Sequence, residues 1–70
     1  MKVFDNGELV AELPDTPKNF DGGCKRGVLT IAIGGNNVTL KAFDAHELAR
    51  ATLYQLMRAY LDGQPEFYLP

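Results

Sequence analysis

The sequence predicts an α+β fold: a small two-layer sandwich in which one antiparallel sheet of two hairpins is covered by one helix. Three observations support this prediction. They are an Asn-Gly pair between two short apolar runs, a matched alternation of apolar and polar residues on either side of residues 34–37, and a capped amphipathic segment at residues 45–62. A sheet and a helix that are each apolar on one side bury those sides against one another. We therefore expect residues 1–70 to fold as a single domain around one core.

The first hairpin is expected at about residues 2–13. Asn6 and Gly7 both accept positive φ, which the type I′ turn between neighbouring strands requires. In that register Phe4 lies opposite Leu9 and Val3 opposite Val10, so apolar side chains pair on both faces of the sheet, although Asp5 lies opposite Glu8. The Asn-Gly turn therefore predicts how the first two strands pair.

The second hairpin is expected at residues 28–42, after a loop at residues 14–23 that holds two prolines and two glycines. Apolar residues alternate on both sides of residues 34–37, which we interpret as a four-residue turn. This turn would place Ile31 opposite Leu40 and bring the apolar faces of the two strands together. The helix would then cover that face.

The helix is expected at about residues 45–62. Asp44 occupies the N-cap position, and Glu47 follows three residues later, as in a capping box. At the other end Gly63 can adopt the left-handed conformation that ends many helices. At about 100° per residue the segment carries two apolar faces. The first is expected to close the core and consists of Ala45, Ala49, Thr52, Leu53, Leu56 and Tyr60.

The second line of helix side chains is not needed to close the core. Arginine and tyrosine are enriched in binding hot spots, and methionine adapts to irregular surfaces, so this line is the candidate partner-binding site. We call it the outer helix face, and it comprises Arg50, Tyr54, Met57, Arg58 and Leu61.

The C-terminal segment at residues 66–70 has the composition of a strand. Phe67 and Leu69 fall on one side of it and Tyr68 on the other. The segment either adds an edge strand to the sheet or packs beside the helix. In the second case it would bury the outer helix face within the same chain, so its position decides whether that face is free.

Composition indicates an ordinary globular protein. The 70 residues are 46% apolar and 23% charged, with a formal net charge of −2. A single cysteine, Cys24, excludes an intramolecular disulfide, and no apolar run approaches the roughly 18 residues of a membrane span. The first residues also lack the apolar core of a signal peptide. We therefore expect a cytoplasmic protein with no membrane partner.

Signatures of catalysis and metal binding are weak. Cys24 is the only cysteine and His46 the only histidine, and together they are the one candidate pair of nucleophile and base. No motif links them. One cysteine and one histidine cannot build even a three-ligand zinc site without carboxylates. We therefore expect no catalytic residues, no metal and no cofactor.

Nucleic-acid binding is a further functional class to weigh. All charged residues between positions 22 and 43 are cations, namely Lys25, Arg26 and Lys41, and Phe20 is a candidate for base stacking. A duplex binder uses a longer basic stripe to displace counterions from phosphates. Nucleic acid is therefore disfavoured as the main partner, and these residues support it only as an alternative.

Binding to another protein is the interpretation that remains. Small acidic single domains without catalytic signatures commonly act in this way, and phage and mobile-element inhibitors of host defence, such as anti-CRISPR proteins, are a prominent group. We therefore expect a non-enzymatic inhibitor or modulator of a protein partner, which can belong to a nucleic-acid-binding complex. The alternative is a homodimeric structural or adaptor module, so the protein is expected to be a monomer or a homodimer. The acidic residues expected to steer association are Asp5, Glu8, Glu12 and Asp15.

Overall fold

Six strands and one helix are present in the part of the chain that the structure, a computed structural model, describes: residues 1–15 and 19–70. Strands precede and follow a single helix, as is typical of an α+β fold. In chain order the elements are β1 (Lys2–Asp5), β2 (Glu8–Glu12), β3 (Gly22–Lys25), β4 (Val28–Ile33), β5 (Asn36–Ala42), α1 (His46–Leu61) and β6 (Glu66–Tyr68).

The strands form two three-stranded sheets, which together with α1 confirm the small α+β sandwich. Sheet A has the order β2-β1-β6, with β1 and β2 antiparallel and β6 parallel to β1. Sheet B has the order β3-β4-β5 and is antiparallel throughout. The division into two sheets differs from the predicted single sheet because each hairpin takes a third strand of its own. Of the two positions left open for the C-terminal segment, the edge strand is confirmed, as β6.

The first hairpin has the predicted turn and, beside that turn, the predicted register; the pairing of Val3 with Val10 was wrong, because the shift between Val3 and Phe4 places Val3 opposite Ala11. Asn6 and Gly7 have φ values of 52° and 79°, as a type I′ turn requires. Phe4 lies opposite Leu9, and the register shifts between Val3 and Phe4. Val3 is completely buried, whereas Phe4 is half-buried on the opposite face of β1. Sheet A therefore has an inner face toward the core and an outer face toward solvent.

The second hairpin has a shorter turn than the sequence indicated. Gly34 and Gly35 have φ values of 58° and 84° and form a two-residue connection, so the predicted four-residue turn at 34–37 was wrong. Two adjacent glycines accept positive φ without strain, which allows the following asparagines to join the ladder of β5. Ile31 consequently lies opposite Val38, two residues from its predicted partner.

Strand β3 lies where the sequence indicated the end of a loop at residues 14–23. It reaches β4 through a turn in which Arg26 and Gly27 have φ values of 55° and 78°. A Cβ on Gly27 would lie 2.6 Å from the carbonyl oxygen of Phe43, so this position requires glycine for space as well as for conformation. The segment Gly-Gly-Cys-Lys carries no apolar alternation, so only its pairing with β4 identifies it as a strand.

The helix begins at His46, one residue later than predicted. Ala45 is the N-cap, with extended φ and ψ of −113° and 127°, and no side chain caps the first turn. The predicted capping box of Asp44 and Glu47 was therefore wrong, because the later start moves both residues out of the positions that such a box requires. Ala45 is exposed for the same reason: it precedes the helix and does not follow the helical projection.

The helix ends as predicted. Gly63 has a φ of 79°, its amide donates to the Tyr60 carbonyl at 3.1 Å, and the Gln64 amide donates to the Ala59 carbonyl at 3.0 Å. This pair of hydrogen bonds is the Schellman arrangement, which satisfies carbonyls that the last turn leaves open. Within residues 1–15 and 19–70, no helix is long and apolar enough to cross a membrane.

The core lies between α1 and the inner faces of both sheets. Val3 from β1, Leu29 and Ile31 from β4, and Leu56 from α1 are among its most deeply buried side chains. Most of the predicted core face of the helix is confirmed, because Ala49, Thr52, Leu56 and Tyr60 are buried and Leu53 is half-buried.

Candidate functional site

The outer helix face is open to solvent. Tyr54 is 58% exposed and Leu61 is 47% exposed, and both arginines of the face, Arg50 and Arg58, are exposed as well. Met57 is half-buried, because it lies at the boundary between the outer face and the core face of α1. The core therefore closes without these side chains.

The C-terminal segment does not cover this face. It pairs with β1 as strand β6, with Glu66 opposite Lys2, and the amide of Leu69 donates to the Phe4 carbonyl at 2.8 Å. Leu69 is buried in the core. The alternative in which residues 66–70 bury the outer helix face was therefore wrong.

Tyr54 separates two shallow depressions on the helix surface. The smaller, of about 260 Å³, lies on the N-terminal side of the ring, and the larger, of about 580 Å³, lies on its C-terminal side. Tyr54 is the residue that lines both. The smaller depression is otherwise lined by Glu47, Arg50 and Ala51, and the larger by Gln55, Met57, Arg58, Ala59, Asp62 and Gln64.

Sequence reasoning missed the glutamines of the larger depression. Gln55 and Gln64 are polar and exposed, so apolar periodicity does not mark them. Gln64 reaches the depression because the Schellman turn at Gly63 directs the chain back beside the last helical turn. The signal that could have identified Gln55 is its i, i+3 spacing from Arg58 on the helix surface, and for Gln64 it is the position just after the helix-ending glycine.

Arg58 is held along the helix by a carboxylate of the larger depression. Its Nε lies 3.2 Å from Oδ2 of Asp62, one turn later, and both side chains are largely exposed. An exposed pair of this kind contributes at most about 1 kcal/mol, so a partner carboxylate or carbonyl can replace Asp62 at little cost. The guanidinium therefore remains available for recognition.

Glu8 and Glu12, two of the four acidic residues expected to steer association, form no ion pair in the described part of the chain, whereas the Asp15 carboxylate lies 3.6 Å from the ammonium group of Met1. Glu8 and Glu12 are exposed on β2, and Asp15 is exposed just after it. Asp5 differs, because its carboxylate accepts a hydrogen bond from the ammonium group of Lys41 at 3.0 Å. Asp5 therefore holds the fold together and is not a free steering charge.

Cys24 and His46 are not brought together by a hydrogen bond within the residues that the structure describes. Cys24 is half-buried on the edge strand β3, and His46 is the exposed first residue of α1. Across residues 1–15 and 19–70, no group of three His, Cys, Asp or Glu side chains is arranged to hold a metal ion.

The residues of the nucleic-acid alternative serve different purposes. Lys25 and Arg26 are exposed at the turn between β3 and β4, whereas Lys41 is held by Asp5. Phe20 is half-buried and packs against the core, with its ring centroid 6.1 Å from that of Tyr60. These four residues therefore do not form one free basic and aromatic surface.

A second apolar surface, which sequence reasoning missed, crosses the outer face of sheet A. Leu9, Phe4 and Tyr68 are neighbours on β2, β1 and β6, and we call them the sheet A row. The Phe4 and Tyr68 rings are stacked, with centroids 5.2 Å apart and planes inclined by 18°. Leu9 is 48% exposed and Tyr68 is 63% exposed. The Phe4–Leu9 register was readable from the sequence, but the placement of β6 beside β1 was not.

Comparison of the chain with protein-family models, with curated proteins and with solved structures found no match.

Proposed function

We propose that this chain is a non-enzymatic protein that binds and inhibits or modulates a protein partner through the outer helix face. The observation that supports the proposal most directly is the exposure of Tyr54 and Leu61 on a helix whose opposite side closes the core. Tyr54 and Leu61 lie two helical turns apart on the same face, so they form a continuous line together with Met57 and Arg58 that a partner surface can cover.

Tyr54 is the residue on which the proposed interface depends most. Its ring lines both depressions, so a partner side chain entering either one would contact it. Tyrosine combines a large apolar surface with a hydroxyl that can find a new hydrogen bond on binding. Because hot spots cluster at the centre of an interface, Tyr54 is the expected centre, with Met57 and Leu61 beside it.

A basic surface is the kind of partner that the charges favour. Glu8, Glu12 and Asp15 are exposed carboxylates that attract cations over roughly one Debye length, about 8 Å at physiological ionic strength. Proteins that handle nucleic acids commonly present such a surface. The partner is therefore expected to be a component of a nucleic-acid-binding complex.

The most specific form of the proposal is an anti-defence inhibitor of the anti-CRISPR type, carried by a phage or a mobile element. It is supported by the small size, the net charge of −2 and the exposed binding face. Such an inhibitor acts in the cytoplasm, where the single thiol Cys24 remains reduced.

Affinity capture with matched baits tests the general proposal. The wild type, Tyr54→Ala and Leu48→Ala would be immobilised and exposed to a bacterial lysate, and the bound proteins identified by mass spectrometry. Leu48 is a suitable control because it is an equally apolar, exposed residue of α1 outside the outer helix face. We expect a partner that binds the wild type and Leu48→Ala but not Tyr54→Ala, and whose purified activity falls when the wild type is added. Equal capture by all three baits would contradict the proposal.

The homodimer alternative has its own measurement. Sedimentation of the wild type at increasing concentration would detect a dimer, and sedimentation of Tyr54→Ala would show whether the dimer uses the outer helix face. A monomer at every concentration leaves the face free for a foreign partner. A dimer that Tyr54→Ala dissociates would assign the face to self-association instead.

A further inference from the structure

The outer face of sheet A combines an aromatic row with a parallel row of charged residues. Lys2 and Phe4 are two residues apart on β1, so both point away from the core side on which Val3 is buried. Glu12 and Glu66 flank Lys2 on the neighbouring strands. The sheet A row of Leu9, Phe4 and Tyr68 therefore lies next to a row of Glu12, Lys2 and Glu66.

The charged row carries more acid than base. Neither Glu12 nor Glu66 forms an ion pair with Lys2 in the described part of the chain, although both are its direct neighbours. The hydroxyl of Tyr68 donates to Oε1 of Glu66 at 2.6 Å, which holds that carboxylate beside the exposed ring. A cation that approaches Tyr68 and Glu66 would contact a carboxylate and an aromatic ring at the same time.

An arginine side chain can bind both the Tyr68 ring and the Glu66 carboxylate. Its planar guanidinium stacks on aromatic rings and pairs with carboxylates, while its three methylene groups pack on apolar surface. The stacked pair of Phe4 and Tyr68 offers that surface, and Leu9 extends it across the sheet.

The size of the sheet A row favours a short segment over a second copy of the chain. Three strands at about 4.8 Å spacing span only about 14 Å, and two rows of side chains extend about 7 Å along the strands. That area is far below the roughly 800 Å² per partner that a stable dimer buries. A few residues of an extended peptide cover it.

We propose that the outer face of sheet A is a second docking surface, which binds an arginine-containing segment of a protein partner through Tyr68, Glu66 and the sheet A row. This surface is separate from the outer helix face, and the proposal does not depend on the function proposed for that face.

A nuclear magnetic resonance titration of the full chain tests this proposal. The probe is the capped peptide Gly-Arg-Gly-Arg-Gly-Arg, added to the 15N-labelled protein. We expect amide shifts confined to residues 2–12 and 66–69. The matched peptide with citrulline at the three arginine positions keeps the shape but removes the charge, and it should produce no comparable shifts.

Two variants and two controls identify the residues responsible. Tyr68→Ala and Glu66→Gln should each weaken peptide binding by about fivefold, because one removes the ring and the other the charge. Leu48→Ala and Glu47→Gln remove an exposed apolar side chain and an exposed carboxylate on α1, and they should leave the affinity within about twofold. All four positions are exposed, so the variants are expected to fold.

Three results would overturn the proposal. The first is a set of shifts spread over carboxylates elsewhere, such as Asp21 and Asp44, which would indicate non-specific attraction. The second is equal binding of the citrulline peptide. The third is an affinity that Tyr68→Ala and Glu66→Gln leave within about twofold of the wild type while both variants remain folded.

Discussion

The ammonium group of Lys41 in β5 lies 3.0 Å from the carboxylate of Asp5 in β1 and thereby joins the two sheets. Only about a quarter of either side chain is exposed, at 26% for Lys41 and 24% for Asp5. Asp5 lies opposite Glu8 in the first hairpin, a like-charged pair that is unfavourable by itself. Lys41 offsets this repulsion and also donates to the carbonyl of Pro70, so the chain uses one cation to hold three segments.

Replacing Lys41 with methionine should destabilise the fold. The variant keeps the unbranched stem but leaves Asp5 half-buried and without a cation, so we expect a loss of about 1 to 2 kcal/mol in the free energy of unfolding. Urea unfolding measures this loss. The control is Lys25→Met, which removes an exposed lysine at the end of β3. Equal stability of the two variants would show that Lys41 does not join the sheets energetically.

Removing the Tyr60 hydroxyl should also reduce stability. Tyr60 is only 2% exposed, and its hydroxyl donates to the Pro14 carbonyl at 2.6 Å. Tyr60→Phe should cost about 1 to 2 kcal/mol, because the carbonyl loses a donor in a part-buried site. Tyr54→Phe is the matched control, since it removes an exposed hydroxyl from the same helix. We expect its unfolding midpoint to stay close to that of the wild type, and a similar fall in both variants would contradict the assignment.

Alanine variants of two glycines with nearly equal φ can distinguish the cost of a positive φ from the cost of steric crowding. Gly27 has a φ of 78° and Gly63 a φ of 79°, but a Cβ at Gly63 meets open space whereas one at Gly27 meets the Phe43 carbonyl at 2.6 Å. Gly63→Ala should therefore cost about 1 kcal/mol, and Gly27→Ala clearly more, about 2 kcal/mol or above. Thermal unfolding of the two variants compares them directly. A larger loss in Gly63→Ala would mean that crowding at Phe43 relaxes without cost.

Tyr54→Ala should separate binding from stability. The ring is mostly exposed and contributes little to the core, so the free energy of unfolding should change by less than about 1 kcal/mol. Affinity for the protein partner should fall by on the order of 2 kcal/mol or more if Tyr54 is the hot spot. Isothermal calorimetry with the captured partner and urea unfolding supply the two values. An unfolded variant would instead place Tyr54 in the core.

Glu66 raises the pKa of Tyr68 above the ordinary value of 10.0, chiefly by accepting its hydroxyl hydrogen bond. The carboxylate stabilises the protonated phenol and opposes the negative charge of the phenolate. In Glu66→Gln the pKa should therefore fall toward the ordinary value. Carbon resonances of labelled tyrosine rings, followed against pH, assign the change to one ring. Equal pKa values of Tyr68 in the wild type and in Glu66→Gln would contradict the role of the Glu66 carboxylate.

Features that depend on a few neighbouring residues were readable from the sequence. Asn6 and Gly7 predicted their own turn, because positive φ is a property of those residues and of the strand twist. Gly63 predicted the end of the helix for the same reason. The two faces of α1 also followed from helical periodicity, which is why the outer helix face could be proposed before its exposure was known.

Features that depend on distant partners were decided only by the tertiary structure. The segment Gly22–Lys25 carries no strand pattern of its own and becomes a strand because β4 supplies its hydrogen-bond partners. The C-terminal segment had two positions open to it, and pairing with β1 rather than packing on α1 left the outer helix face free and completed the sheet A row. The physical reason is the distance along the chain between the interacting residues. Turns and helix ends are set by φ preferences and hydrogen bonds within a few neighbouring residues. The choice of neighbouring strand depends instead on burial and backbone pairing between segments that the chain brings together only when it folds.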